Sequence, residues 1–210
     1  MGSFLSNYWR TIINPKVSFE KLLANEKYFS LGFLYILIPI VGYTMVYVFL
    51  TIGNGAPSVF TPWLNIPIED YYSVNRFLLA PSMILSWLAA AAVIQIFSRL
   101  FKGTGSFEQT LSVIALSISI AMWGGLIHDL PMSFLSAIKV IDAREHEIAM
   151  TTPTIFRTLL WTCYSMYIIA FFILFSKAVQ IVHKLNVTKS ILIGSFAYLI
   201  FQLIFIVFNR

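Results

Sequence analysis

The side chains best suited to chemistry lie close together in the second half of the chain. His128 and Asp129 are adjacent, and Asp142, Glu145, His146 and Glu147 follow in one short stretch. Two imidazoles among carboxylates could ligate zinc. No His-Glu-x-x-His or comparable spacing frames them, however, and no serine sits on a nucleophile elbow that would recruit them for hydrolysis. The expectation is therefore a solvated, charged loop, with no catalytic residue, no metal and no cofactor assigned.

A second candidate is the stretch GTGSFEQTL, residues 103–111. Glycines followed by a helix can cradle phosphate, but that requires a strand before them and a P-loop lysine after them. Here Lys102 comes before Gly103, and a long apolar run precedes both. A tight turn and a helix start fit better. Gly103 and Gly105 permit positive φ in a short reversal, and Ser106 with Gln109 makes the Ser-x-x-Gln capping box.

The elements that would position these residues are set by lipid. Of the 210 residues, 59% are hydrophobic and 11% charged, and the mean hydropathy is +0.82. Soluble domains are about 25% charged, so this is an integral membrane protein. Spanning a bilayer core takes about 20 helical residues without charge. Five runs qualify: 30–52, 77–98, 109–127, 158–176 and 190–209. None alternates like a barrel strand, and backbone polar groups must be paired within lipid, so all five are predicted helices. The fold class is an all-α membrane protein, with residues 1–28 as an amphipathic interfacial segment and 29–210 as a five-span domain.

Lys and Arg in the short flanks set the orientation. Nine (Arg10, Lys16, Lys21, Lys27, Arg99, Lys102, Lys177, Lys184 and Lys189) fall on one side, and five (Arg76, Lys139, Arg144, Arg157 and Arg210) on the other. The N-terminus is expected in the cytoplasm and the C-terminus outside, and His183 then lies away from His128 and His146. The net charge of +5 is spread over span ends rather than gathered on one face, which argues against nucleic acid. The lone Cys163 allows no intrachain disulfide, and no cleavable signal peptide is apparent.

Local signals fill in the rest. Asn14-Pro15 starts an amphipathic helix, with Tyr8 and Trp9 suited to the headgroup level. Gly2 fits an N-myristoylation pattern, although five spans anchor the chain without it. Pro57, Pro62 and Pro67 exclude a helix between the first two spans, where Trp63, Tyr71 and Tyr72 form an aromatic belt. Pro39, with Gly32 and Gly42, predicts a kink or a close helix contact in the first span. The apolar stretch 130–141 is too short to cross and should lie at the interface, the alternative being a sixth span. Gln95, Ser112, Ser117, Ser119, Thr162, Ser165 and Gln202 lie inside spans and are explained by hydrogen bonds between helices. A polar path near Pro39, Gln95, Ser117 and Ser119 is the competing reading, that of a small transporter or channel subunit.

LFKGTGSFEQTLSVIALS, residues 100–117, resembles the hallmark of the Yip-domain family of Ypt-interacting, YIPF-like five-span membrane proteins, in which a glycine turn, Ser-Phe and Gln-x-Leu open the third span. NPKVSFEKL, residues 14–22, is similar to the Pro-x-x-x-Phe-x-x-Leu that precedes the first span in many bacterial and archaeal members. The long N-terminal region and the Asp-Leu-x-Gly-Pro motif of eukaryotic members are missing, so binding of prenylated Rab-type GTPases is not carried over. The resemblance implies a short prokaryotic type in the plasma membrane and, because some bacterial relatives are associated with ABC-type exporters, an accessory role. The expected function is that of a non-enzymatic scaffold touching lipid and other membrane proteins, or itself. Its candidate contact and hinge residues are Pro15, Phe19, Lys102, Gly103, Gly105, Ser106, Phe107 and Gln109.

Overall fold

The computed structural model describes residues 2–57 and 64–209. Pro62, Trp63 and Arg210, which carried expectations about the aromatic belt and the C-terminus, lie outside the described residues.

Every regular element among the described residues is helical, as charge-poor apolar runs in lipid require. Four helices are long and apolar enough to cross a bilayer: α3 (Tyr28–Ile52), α4 (Tyr71–Leu100, entered through the 3-10 turn Ile68–Asp70), α8 (Ile155–His183) and α9 (Val187–Asn209). A fifth crossing is formed if α5 (Phe107–Ala121) and α6 (Trp123–Ala137), bent by 48° at Met122, act as one broken span. The N-terminal segment is two short helices, α1 (Gly2–Ile13) and α2 (Pro15–Leu23), and α7 (Ala143–Thr151) precedes α8.

Helix starts follow from side-chain caps. The Asn14 side chain accepts from the Val17 amide, Asp142 from those of Arg144 and Glu145, and Thr154 from that of Arg157. At the C-terminus of α8, Lys184 takes the left-handed conformation at φ 55°. Pro39 is accommodated within an unbroken α3, as Pro81 is within α4.

α5 is the axis of the bundle. Every residue from Thr110 to Ala121 is buried, so this helix is enclosed on all sides, the condition under which a helix can be apolar all round. α3, α4 and α8 surround it, α9 closes the gap between α4 and α8, and α6 continues the axis between α3 and α8. The lipid side of the bundle carries the large exposed apolar side chains, such as Leu37 and Val41 on α3, Ile169 and Ile173 on α8, and Leu199 and Leu203 on α9.

Three expectations change here. The stretch 130–141 is not a separate interfacial piece: its first part is the second half of α6, with Pro131 inside the helix, and only its end is a turn. The third predicted span, 109–127, is built from two helices rather than one, and the break between them falls just before Gly124-Gly125, a pair that favours bending. The backbone of α8 lies against this bend, with the Tyr167 amide nitrogen 2.6 Å from where a Gly124 Cβ would stand. The N-terminal segment also goes deeper than a surface helix. Tyr8 is buried, its hydroxyl donates to the Ser119 carbonyl at 3.1 Å, and it accepts from Trp123 Nε1 at 2.7 Å. Because Ser119 is near the far end of α5, α1 dips into the bundle, where Phe4 and Tyr8 stack on Tyr35 of α3.

Candidate functional site

Polar side chains gather at the two ends of the bundle. At the end carrying the α4–α5 turn, α4 supplies Gln95 and Arg99, one helical turn apart and on the same face. Gln95 Nε2 donates to the Gly105 carbonyl at 3.1 Å, and Arg99 Nη2 donates to the same oxygen at 3.1 Å. Gln95 Oε1 accepts from the Thr110 hydroxyl at 3.1 Å, and that hydroxyl also lies 3.0 Å from His183 Nε2 at the end of α8. The His183 carbonyl accepts from the Thr104 amide at 3.3 Å. One turn is thus held by three helices.

The capping box is formed: the Gln109 amide donates to Ser106 Oγ at 3.2 Å, and the Ser106 amide donates to Gln109 Oε1 at 3.0 Å. The glycines serve a different purpose from the one expected. Neither Gly103 nor Gly105 has positive φ, and it is Lys102 that takes the left-handed conformation, at φ 65°. What requires glycine is the close approach of α8. A Cβ on Gly105 would overlap the Val182 side chain and stand 2.6 Å from the Val182 carbonyl oxygen, and one on Gly103 would stand 2.9 Å from His183 Cβ.

The other end holds a cavity of about 720 Å³. It is lined by Tyr43 and Tyr47 of α3, Tyr71 and Tyr72 of α4, Tyr164 and Tyr167 of α8, and Tyr198 of α9, with His128, Asp129, His146 and Glu147 from α6 and α7. The sequence brought the last four together only as a loop cluster. In the fold His128 and Asp129 lie on α6, where Nδ1 of His128 is 3.0 Å from Asp129 Oδ1. The His146 ring stacks on that of His128 at 5.5 Å and 23°. Burial pushes the His146 imidazole below its ordinary pKa, His128 adds to this, and Asp129 opposes it. Asp142 is occupied in capping α7 and Glu145 is exposed, so neither joins the cluster. Among the described residues no three His, Cys, Asp or Glu side chains converge as metal ligands would.

The contact residues named from sequence separate into two groups. Lys102 and Phe107 are exposed and Pro15 is half-buried, whereas Phe19, Gly103 and Gly105 are interior, and Ser106 and Gln109 are engaged with each other. Phe19, Gly103 and Gly105 therefore hold the fold and offer no surface to a partner. The four residues of the polar path are not brought together. Gln95 grips the turn, Ser117 donates to the carbonyl of Val113 in its own helix, Ser119 meets Tyr8, Pro39 is buried in α3, and none of the four lines the cavity.

Sequence reasoning missed His183 and Tyr8, whose partners are 73 and 111 positions away. Local spacing carries no signal for either. Hydrogen bonds between helices were expected for Thr162 and Ser165, but both are exposed and donate to carbonyls in their own helix. With Thr158, which does the same, they form a hydroxyl stripe on the outward side of α8. The stripe borders a hollow of about 490 Å³ lined also by Pro153, Arg157 and Trp161. Gln202 does bridge helices, accepting from the Tyr167 hydroxyl at 2.8 Å.

Compared with known proteins, the chain matches the family model of the Yip1 domain over residues 9–208. No curated protein and no solved structure matches it.

Proposed function

We propose a function from one premise, that this chain belongs to the Yip1 domain family: it is a non-enzymatic accessory protein that holds another membrane protein against its α8 face. The observation that carries this reading is the stripe of Thr158, Thr162 and Ser165, three exposed hydroxyls on a side of α8 that no other helix covers among the described residues. Small hydroxyl residues on a lipid-facing helix let a second backbone come close, and their oxygens retain acceptor capacity for a neighbour. The adjoining hollow, which Trp161 and Arg157 help to line, would receive a large side chain of the partner.

The turn held by Gln95, Arg99 and His183 supports a rigid scaffold over a moving carrier, because its grip ties α4, α5 and α8 into one body. In this reading the exposed Lys102 and Phe107 belong to the cytoplasmic end and supply a secondary contact. An exporter is one assembly in which such a part would serve.

A photo-cross-linking residue at position 165 tests the reading in native membranes, with the same probe at Leu203 on the lipid face of α9 as control. The expected result is a discrete protein adduct from position 165 alone, lost when Thr162→Trp fills the stripe. Equal adducts at both positions, or lipid adducts only, would overturn it. Solute flux through proteoliposomes of the purified chain would favour the transporter reading instead.

A further inference from the structure

The cavity at the end opposite the turn shares only Trp161 with the hollow beside the α8 stripe, and its lining is chemically one-sided. Two carboxylates, Asp129 and Glu147, contribute to it, and no Lys or Arg does among the described residues. Seven tyrosine rings surround them. Aromatic faces carry negative electrostatic potential and attract cations, so carboxylates and rings favour the same sign of guest.

The histidines sharpen the choice. Nδ1 of His128 lies 3.0 Å from Asp129 Oδ1, and in the tautomer in which Nδ1 donates to that carboxylate Nε2 is an acceptor. That atom is buried and has no hydrogen-bond partner, although His128 itself is only 6% exposed and lines the cavity. Nε2 of His146, stacked beside it, is also buried without a partner. A buried acceptor left unmade is costly and points to a missing donor. A head bearing only negative charge would set it against two carboxylates, and a quaternary ammonium would bring no N–H to the waiting nitrogen. A primary ammonium satisfies both conditions.

The rest of the cavity is apolar, with Val46, Leu50, Leu160, Phe205 and Ile206 among its walls. At about 720 Å³ it falls within the range of sites that enclose most of a drug-sized ligand. From these observations we propose that the cavity binds one amphiphile bearing a primary ammonium head, with the head at Asp129 and His128 and the chain along the apolar walls. Its source is either a bilayer lipid of the phosphatidylethanolamine type or a free long-chain amine. The proposal rests on the cavity alone and does not depend on docking at α8.

The purified full chain, exposed in detergent to equimolar phosphatidylethanolamine, phosphatidylcholine and phosphatidylglycerol, is read by native mass spectrometry. Binding of the head predicts one retained phosphatidylethanolamine, preferred about tenfold over phosphatidylglycerol. Asp129→Asn should bring the two to parity. Ser133→Phe, placed in the cavity where Ser133 bonds only to a carbonyl of its own helix, should abolish retention while melting stays cooperative. A second measurement takes the chain in phosphatidylglycerol nanodiscs and, in separate arms, adds dodecylammonium or replaces part of the lipid with phosphatidylethanolamine. A rise in melting temperature with the free amine alone assigns the site to a soluble amine, and a rise with phosphatidylethanolamine alone assigns it to a bilayer lipid. Equal retention of the three lipids with no shift in either nanodisc arm overturns the proposal, as does a preference that survives both substitutions.

Discussion

At the scale of single residues, the glycines of the α4–α5 turn show how a correct position can carry an unexpected reason. The sequence marks Gly103 and Gly105 as a turn, and positive φ is the usual explanation for glycine there. In the fold, backbone packing is the constraint: the Val182 carbonyl oxygen lies 2.6 Å from where a Gly105 Cβ would be. A main-chain atom cannot rotate aside as a side chain can. Gly105→Ala is therefore expected to destabilise the protein by about 1–3 kcal/mol, the usual range for overpacking, seen as a lower melting temperature in detergent. Phe107→Ala, two residues on at a 37% exposed position, should leave melting nearly unchanged. Similar melting of the two variants would remove the close-packing explanation.

At the scale of elements, what was legible in the sequence is what the chain encodes within a few residues. The capping box at Ser106 and Gln109 needs only a spacing of three. Ser106→Ala should cost about 1 kcal/mol, and Ser106→Ala with Gln109→Ala together should cost less than the two separate losses, because each partner serves the same reciprocal bond pair. A double-mutant melting series checks this, and strict additivity would count against a working box. The α5–α6 bend was not read from the sequence, because Gly124-Gly125 lie inside the apolar run 109–127 and only the fold shows α8 backbone against Gly124. The insertion of α1 was hidden in the same way. Its amphipathic pattern fits a water interface or the side of a bundle equally well, and only Ser119 and Trp123 distinguish the two.

At the scale of the whole molecule, the turn and α7 stand at opposite ends of the 30-residue α4, at about 1.5 Å of rise per residue. Membrane orientation then makes a simple prediction from the balance of Lys and Arg. In intact cells, an impermeant maleimide should label Arg144→Cys and not Lys102→Cys, and the order should reverse in inverted vesicles. Both positions are exposed, and the native Cys163 is buried and contributes little background. Labelling of both positions from one side would reject the alternating crossings. The sequence by itself determined the solvent and hence the class: few charges and long apolar runs leave the backbone no option in lipid but helices that satisfy their own hydrogen bonds. It also determined the local caps, and the family is visible in the short motif around the turn. Tertiary structure alone decided that His183 closes the turn, that Tyr8 lies inside the bundle, and that His128, His146 and seven tyrosines from four helices enclose a cavity. Those groups meet across tens of positions in the chain, and periodicity fixes which face of a helix is apolar without fixing which other helix that face will find.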